Sequence, residues 1–275
     1  MRATRLMNLL LCSVVTVAAV PALAAGLQPH RAVYDLSLAD GGETGTITGI
    51  DGRMVYEFRG SACEGYTVSF RYVTRFETEQ TSQLIDERSE TFESGDGSAF
   101  RFETSSFIDE NLDRETRGEA VATGDGIEVD IAAPEAKAAE VAPALFPTEH
   151  LLDLIARAEA GETFYEEKIY DGSDGGEKPM TTTVVIGQAA ETAGDDPESA
   201  ALQGRGQDAY WPVDMAYFDL ATGNATGEEL PTYHISFKLH ESGLTRDLMM
   251  DYGQFAIAGR LVELEMLEAD EGCAE

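Results

Sequence analysis

The side chains in this sequence best suited to acid–base or metal chemistry near neutral pH are its four histidines, His30, His150, His234 and His240. No two of them have a metal-ligand spacing, and the sequence contains no H-E-x-x-H, G-x-S-x-G, P-loop or dinucleotide-binding motif. Because the chain has 51 acidic residues, a carboxylate can lie close to one of these histidines by chance, and such a contact would be weak evidence of a catalytic site. We therefore predict a protein that is not an enzyme and that has no catalytic residue, cofactor or metal.

A second candidate site is a run of glycines and oxygen-bearing side chains of the kind found in calcium loops. It does not fit the EF-hand register, because Gly175 occupies the fifth position and no glutamate stands at the twelfth. We interpret the run as a turn between two strands that could contact a partner, and an ion- or ligand-binding loop stays open as the alternative. The residues of this turn motif are Asp171, Gly172, Ser173, Asp174 and Gly175.

The N-terminal residues have the pattern of an export leader. Arg2 and Arg5 precede an apolar run over 6–20, and Ala22 and Ala24 supply the small residues of a cleavage site. The run is shorter than the ~20 residues that a membrane-spanning helix needs, and no stop-transfer pattern follows. We predict a cleaved signal peptide over 1–24 and an exported mature chain over 25–275 that has no transmembrane anchor.

Removal of the leader leaves two cysteines, Cys63 and Cys273. In an oxidising compartment such an isolated pair is more often bridged than free, and two separately buried thiols remain the alternative. The absence of a C-x-x-C motif argues against redox catalysis.

The composition excludes several classes of protein. The 275 residues include 51 acidic and only 19 basic ones, for a formal net charge of -32. A nucleic-acid-binding protein needs a basic face, so nucleic acid is excluded as a partner, and an acidic chain has no electrostatic attraction to anionic lipid. Hydrophobic residues make up 43% of the chain, which is enough for one sizeable core.

Alternation of apolar and polar residues, typical of half-buried β-strands, recurs along the chain. It is clearest over 34–38, 54–58, 66–72 and 233–239, and Val262, Leu264 and Met266 repeat it near the C-terminus. Turn motifs separate these segments at hairpin distances. We predict a single all-β domain with a mainly antiparallel sheet, because a parallel α/β fold would need helical segments between its strands.

One segment, 148–160, has the periodicity of an amphipathic helix. Thr148 is placed to cap its N-terminus, and Gly161 lies just past its end. Its apolar residues at helical spacing are Leu151, Leu154, Ile155 and Ala158. A large sheet with one apolar face and a single helix must curl upon itself, with the helix filling or lining its mouth. We interpret 132–147 as a loose connector and 189–208 as an acidic loop without structure of its own.

The sequence resembles the EipB-like family of cell envelope integrity proteins over nearly the whole mature chain. The resemblance rests on the segments 61–66, 71–75 and 170–176 and on the position of Cys273 close to the C-terminus. It implies a periplasmic protein of a Gram-negative bacterium, built as one long antiparallel sheet coiled into a β-spiral or half-barrel, with a helix against it and a disulfide between Cys63 and Cys273. The family fold resembles the periplasmic lipoprotein carriers, whose half-open barrels hold acyl chains, and the family implies no enzyme activity.

The leading hypothesis is a periplasmic protein that supports envelope integrity by binding an apolar ligand, such as an acyl chain or lipoprotein segment, in its concave sheet. The alternative is a structural or interaction module that docks an envelope partner without a small ligand. An envelope hydrolase that uses His150 or His234 is the weakest hypothesis. The candidate residues for the ligand cavity are Leu151, Leu154, Ile155, Tyr66 and Phe70.

Overall fold

The computed structural model of the protein describes residues 26–41, 46–202, 209–219 and 230–268. The leader predicted over 1–24 and Cys273 lie outside these ranges. Within them the chain forms 15 strands, one α-helix, α1 (Pro147–Glu159), and a short 3-10 turn over 174–176. The strands are β1 (His30–Asp40), β2 (Gly49–Ser61), β3 (Gly65–Glu77), β4 (Ser82–Glu93), β5 (Ala99–Ile108), β6 (Asn111–Ala122), β7 (Ile127–Ala133), β8 (Lys137–Val141), β9 (Phe164–Ile169), β10 (Met180–Ile186), β11 (Ala190–Glu191), β12 (Ala209–Phe218), β13 (Tyr233–His240), β14 (Thr245–Asp251) and β15 (Ala256–Met266).

All of these strands belong to one antiparallel sheet. Its order is β8-β7-β6-β5-β4-β3-β2-β1-β15-β14-β13-β12-β10-β9, and β11 pairs with β12. The sheet is unclosed, with β8 and β9 at its two ends, and it curls so that one face surrounds α1. The prediction of an all-β, mainly antiparallel fold with one main helix is confirmed.

The apolar side chains form two separate clusters. The main core brings together α1 and the inner faces of β1–β3, β9, β10 and β12–β15, with Leu154, Val184 and Ile257 among its fully buried residues. The second core lies between β5–β8 and the segments that flank α1 and β9, where Phe100 stacks on Phe146 at 5.2 Å. The chain therefore has one filled barrel-like half and one outer wall, which comprises β4–β8.

The helix begins differently from the prediction. Thr148 is not its N-cap; Phe146 occupies that position without a side-chain cap, and Pro147 opens the first turn. The carboxylate of Glu93, on β4, instead accepts the N–H groups of Thr148 and Glu149, both at 2.7 Å. Gly161 follows the helix with a φ of 77°, as expected for a residue just past a helix end.

The segment predicted to be a loose connector and the described part of the loop predicted to lack structure of its own both contribute strands to the sheet. The connector 132–147 contains β8, and the described part of the acidic loop, 189–202, contains β11 and the buried residues Asp196, Glu198 and Leu202. The alternation predicted around Val262 is also shifted, because the β1–β15 register changes between Val33 and Tyr34. Val262 is 40% exposed as a result, whereas Leu261 and Leu264 are buried.

Candidate functional site

Where β3 meets the outer wall, the inner face of the sheet is open to solvent at the end away from α1. Cross-strand register places Phe70, Ser89 and Thr104 in one row and Tyr72, Glu87, Ser106 and Arg114 in the next, and directly opposed residues share a face. Glu87, Thr104 and Arg114 are exposed although they lie on the same face as the main core. We call this region, made of these seven residues, the concave cleft.

Aromatic side chains border the same end of the sheet. We call the following five residues the aromatic rim: Phe76, Tyr217, Tyr233, Tyr252 and Phe255. Tyr217 stacks on Tyr233 with ring centroids 4.4 Å apart, and further ring contacts at 5.1–5.9 Å continue the chain through Tyr252 and Phe255 to Phe76. Tyr252 is 40% exposed, so the rim presents aromatic surface to the solvent at the mouth of the sheet.

Burial dominates the electrostatics of this region. It raises the pKa of Tyr72, Tyr217 and Tyr252 above the ordinary tyrosine value, so these phenols stay protonated and uncharged. Glu87 is exposed to solvent, yet the protein atoms around its carboxyl desolvate it and raise its pKa, and Arg114 partly offsets that shift. One side of the region is thus aromatic and neutral while the other is polar, an arrangement suited to holding an amphiphilic molecule rather than to proton transfer.

The structure places four of the five predicted cavity residues in or against the main core. Leu154 and Ile155 are buried in it, while Leu151 and Phe70 are partly buried and pack against it. Tyr66 is buried elsewhere, where its ring stacks on that of Phe58 at 5.6 Å. Of the five residues, Phe70 alone belongs to the concave cleft.

The predicted turn motif lies against the second core. Gly172 and Gly176 are buried, and a Cβ atom on Gly172, whose φ is 74°, would lie 2.5 Å from the ring of Phe102. Asp171 accepts the N–H of Ser173, and Ser173 is exposed. The side chain of Asp174 lies outside the described part of the structure. Close packing explains the two glycines, so a partner contact would have to use the exposed side of the turn.

Cys63 lies in the turn between β2 and β3 and is disulfide-bonded. Because Cys273 lies outside the described residues, the pairing of Cys63 with Cys273 stays a prediction.

The histidines occupy unrelated places. The Nε2 atom of His150 lies 3.1 Å from the hydroxyl of Tyr165 in the core, and burial lowers the pKa of this histidine to about 4. His234 lies on the surface, 3.3 Å from a carboxylate oxygen of Asp251. Arg246 donates to the Nε2 atom of His240. Within the described ranges, no group of three or more His, Cys, Asp or Glu residues is arranged to hold a metal ion.

Sequence reasoning missed a buried charge network centred on Arg246, which is fully buried on β14. Its guanidinium donates to Asp196 at 2.9 Å, to Glu198 at 3.2 Å and to the hydroxyl of Thr192 at 2.9 Å. Glu198 also accepts the N–H of Leu261 at the β1–β15 irregularity. The network fixes the acidic loop to the sheet, and an arginine among polar strand residues gave no pattern from which to find it.

The carboxylate of Asp196 is stabilised in its ionised form. Burial by itself would raise its pKa, but hydrogen bonds from the Glu198 amide, Arg246 and Lys238 outweigh it and lower the pKa to about 2. The carboxylate therefore stays ionised across the physiological range.

No helix in the described part of the chain is long and apolar enough to cross a membrane.

Comparison with known proteins places this architecture in a family. The EipB-like family model matches residues 21–268. The cell envelope integrity protein EipB of Brucella abortus (strain 2308) is 41% identical over 262 residues, which cover 94% of this chain and 92% of that protein. A crystal structure of a beta-barrel-like protein of a domain of unknown function from Brucella abortus has a TM-score of 0.84 and 42% identity, covering 89% of this chain and 100% of that one. On the strength of the family match and the relative, this chain belongs to the EipB-like family.

Proposed function

We propose that this protein supports the integrity of a bacterial cell envelope by holding an apolar chain, an acyl chain or a lipoprotein segment, in its concave cleft. The name of the Brucella relative supports the envelope role. The observation that carries the ligand proposal is the position of the aromatic rim beside an inner face that is open to solvent. The protein acts without catalysis, after export to the periplasm with removal of residues 1–24.

The contacts to the ligand come from the open end of the sheet. Phe70 and Tyr252 keep exposed surface there, whereas Leu154 is 1% exposed and Ile155 is 7% exposed within the main core. Leu154 and Ile155 therefore hold the sheet around α1, and the ligand lies against Phe70 and the aromatic rim. The polar row of Glu87, Ser106 and Arg114 faces a headgroup or the peptide backbone of a lipoprotein segment.

The experiment is native mass spectrometry of protein exported to a bacterial periplasm and purified without detergent, followed by solvent extraction. A reproducible extra mass that resolves into lipid supports the proposal. A mature protein that carries no added mass, and that also fails to bind a dansylated fatty acid in a fluorescence titration, contradicts it.

Matched variants locate the binding surface. Phe70→Asp and Tyr252→Ser place polar groups in the proposed contact surface, so each should weaken binding of the dansylated fatty acid. Val185→Asp is the control. Val184 is buried in the main core, so the next residue on β10, Val185, points to the outer face of the sheet, away from the cleft, and it is 50% exposed. Equal binding by all three variants would contradict the assignment of the cleft.

The second candidate function is a docking module for an envelope protein. The exposed side of the turn motif, at Ser173, favours it, because an exposed polar position beside tightly packed glycines is rigidly presented. Under this hypothesis Ser173→Arg abolishes envelope function in a complementation assay, whereas Phe70→Asp does not. The carrier hypothesis gives the opposite pattern.

A further inference from the structure

The outward face of β3 and of the outer wall holds a second concavity, whose charged side chains point away from the concave cleft, although Phe70 and Ser89 of the cleft also border it. It is a groove of about 950 Å³ that runs across β3–β7. Its size lies within the ~300–1,000 Å³ range of small-ligand sites, but its lining is far more polar than is usual for them. Each of the four strands β3–β6 contributes one arginine to it: Arg71, Arg88, Arg101 and Arg117.

Two of these arginines are neighbours on adjacent strands, and an aspartate keeps their like charges together. Arg71 and Arg88 lie directly opposite each other on β3 and β4, an arrangement that costs stability. Asp86 bridges them, at 2.9 Å from Arg71 and 2.6 Å from Arg88. Hydrogen bonds from both guanidinium groups lower the pKa of Asp86 to about 2, so the bridge persists over a wide pH range.

The next row contains like charges of the opposite sign. Glu90 and Glu103 are directly opposed on β4 and β5, and within the described residues neither makes an ion pair. The register also places Glu103 opposite Arg117, yet Arg117 reaches Glu115 instead, at 3.5 Å. The carboxylates in the groove therefore keep their acceptor sites open to solvent.

Arg101 and Glu119 are a second pair of opposite charge that the strand register places together but that forms no salt bridge. Arg101 lies opposite Glu119, but its guanidinium lies over the ring of Phe92, 4.6 Å from the centroid. In the part of the chain that the structure describes, Arg101 makes no ion pair. The opposite charges in the groove thus do not neutralise each other in cross-strand salt bridges. Their hydrogen-bond donors and acceptors both face the solvent.

We infer that this groove binds an oligosaccharide. Carboxylates accept hydrogen bonds and guanidinium groups donate them, so the ligand must carry both donors and acceptors along its length. Sugar hydroxyls are both, and the hydroxyls of Thr67, Ser69 and Ser105 in the same groove can match them. The four arginines are balanced by Glu90, Glu103, Glu119 and Asp130, so the groove has no net charge that would select a polyanion.

The test is calorimetric titration of the mature protein with three tetrasaccharides: chitotetraose, cellotetraose and tetragalacturonate. At least one of them binds, and the one that binds distinguishes an N-acetylated, a neutral and a carboxylated saccharide. Arg101→Ala and Glu103→Ala each weaken that binding by about tenfold, the value of one charged hydrogen bond. Arg53→Ala, which removes an exposed ion pair with Asp35 outside this groove, leaves binding unchanged.

The side chains tested are exposed, so circular dichroism melts should show folded variants. Failure of all three saccharides to bind at about 10 mM, or binding that neither groove variant weakens, overturns the inference. The result is distinguishable from that for the proposed apolar ligand. Although Phe70 and Ser89 border both sites, Arg101 and Glu103 point to the outward face only, and fatty-acid binding is measured separately.

Discussion

The two halves of this sheet share one backbone architecture but have different interiors. In the main core, the inward positions of β2 and β10 carry Met54, Val184 and Ile186, all buried. On the outer wall, the inward positions of β4 and β5 include Ser89 and Ser106, which keep solvent contact. An inward-pointing side chain is thus not the same as a buried one in an unclosed sheet, because curvature covers one half and leaves part of the other open.

The largest expected effect comes from the buried charges that fix the acidic loop to the main half. Arg246→Met leaves the buried Glu198 without its guanidinium partner and Asp196 with Lys238 alone, so we expect it to cost about 3–5 kcal/mol of unfolding free energy. Urea denaturation followed by circular dichroism measures this loss.

The control for this variant is Arg53→Met, which removes an ion pair between exposed side chains. Exposed pairs are worth about 0–1 kcal/mol, so this variant should unfold close to the parent. Similar losses for the two variants would mean that the Arg246 network contributes no more than a surface pair.

A pH titration separates the two halves further, because His150 belongs to the filled one. Its pKa is about 4 in the folded protein, against an ordinary 6.5. The unfolded chain therefore binds more protons between these values, and the contribution of His150 to stability is complete above pH 6.5 and is lost as the pH falls towards 4. The shift corresponds to about 3 kcal/mol.

Thermal melts between pH 7.5 and 4 check this contribution. The His150→Gln variant can keep a hydrogen bond to Tyr165 but cannot titrate, so its melting temperature should fall less steeply with acid. Parallel pH profiles for the variant and the parent would contradict the assignment.

The contact between the outer wall and the helix should have a smaller effect. Glu93 accepts two N–H groups of the first turn of α1, so Glu93→Ala should cost about 1–2 kcal/mol, the usual cost of losing a cap. Thr148→Ala is the comparison variant: it removes the hydroxyl that also bonds the Glu93 carboxylate but keeps both backbone N–H bonds to it, so its loss should be the smaller of the two. A greater loss for Thr148→Ala in urea unfolding would restore the cap that the sequence predicts.

This helix shows how far the sequence leads and why it stops. The helical spacing of Leu154 and Ile155 follows from local geometry and predicts α1 within one residue at each end. Its cap comes from Glu93, 55 residues away along the chain, and no local pattern reports such a contact. Similarly, hydrophobic alternation predicts β1–β3, which face the main core, but not β4 and β6, whose inward positions include Glu87 and Arg114.

The same limit applies to the candidate site. Phe70 could be chosen from the sequence because it is apolar and alternates with polar neighbours. Tyr252 lies in the turn between β14 and β15, outside any strand pattern, and reaches the aromatic rim only through the pairing of those strands. Residues that a long-range register brings together are therefore the part of the site that the sequence alone does not predict.

The smallest expected effect is the sharpest test of the contrast between the two interiors. Ser106→Val on the outer wall replaces a solvated hydroxyl by an apolar group of similar size, so the free energy of unfolding should change by no more than about 0.5 kcal/mol. The reverse exchange in the main core, Val184→Ser, buries an unpartnered hydroxyl at a position with 0% exposure and should cost more than about 2 kcal/mol. Urea unfolding of the two variants compares them directly. Since both positions point inward on the same sheet, equal losses would show that the outer wall is as closed as the main core, and the concave cleft would then have no room for a ligand.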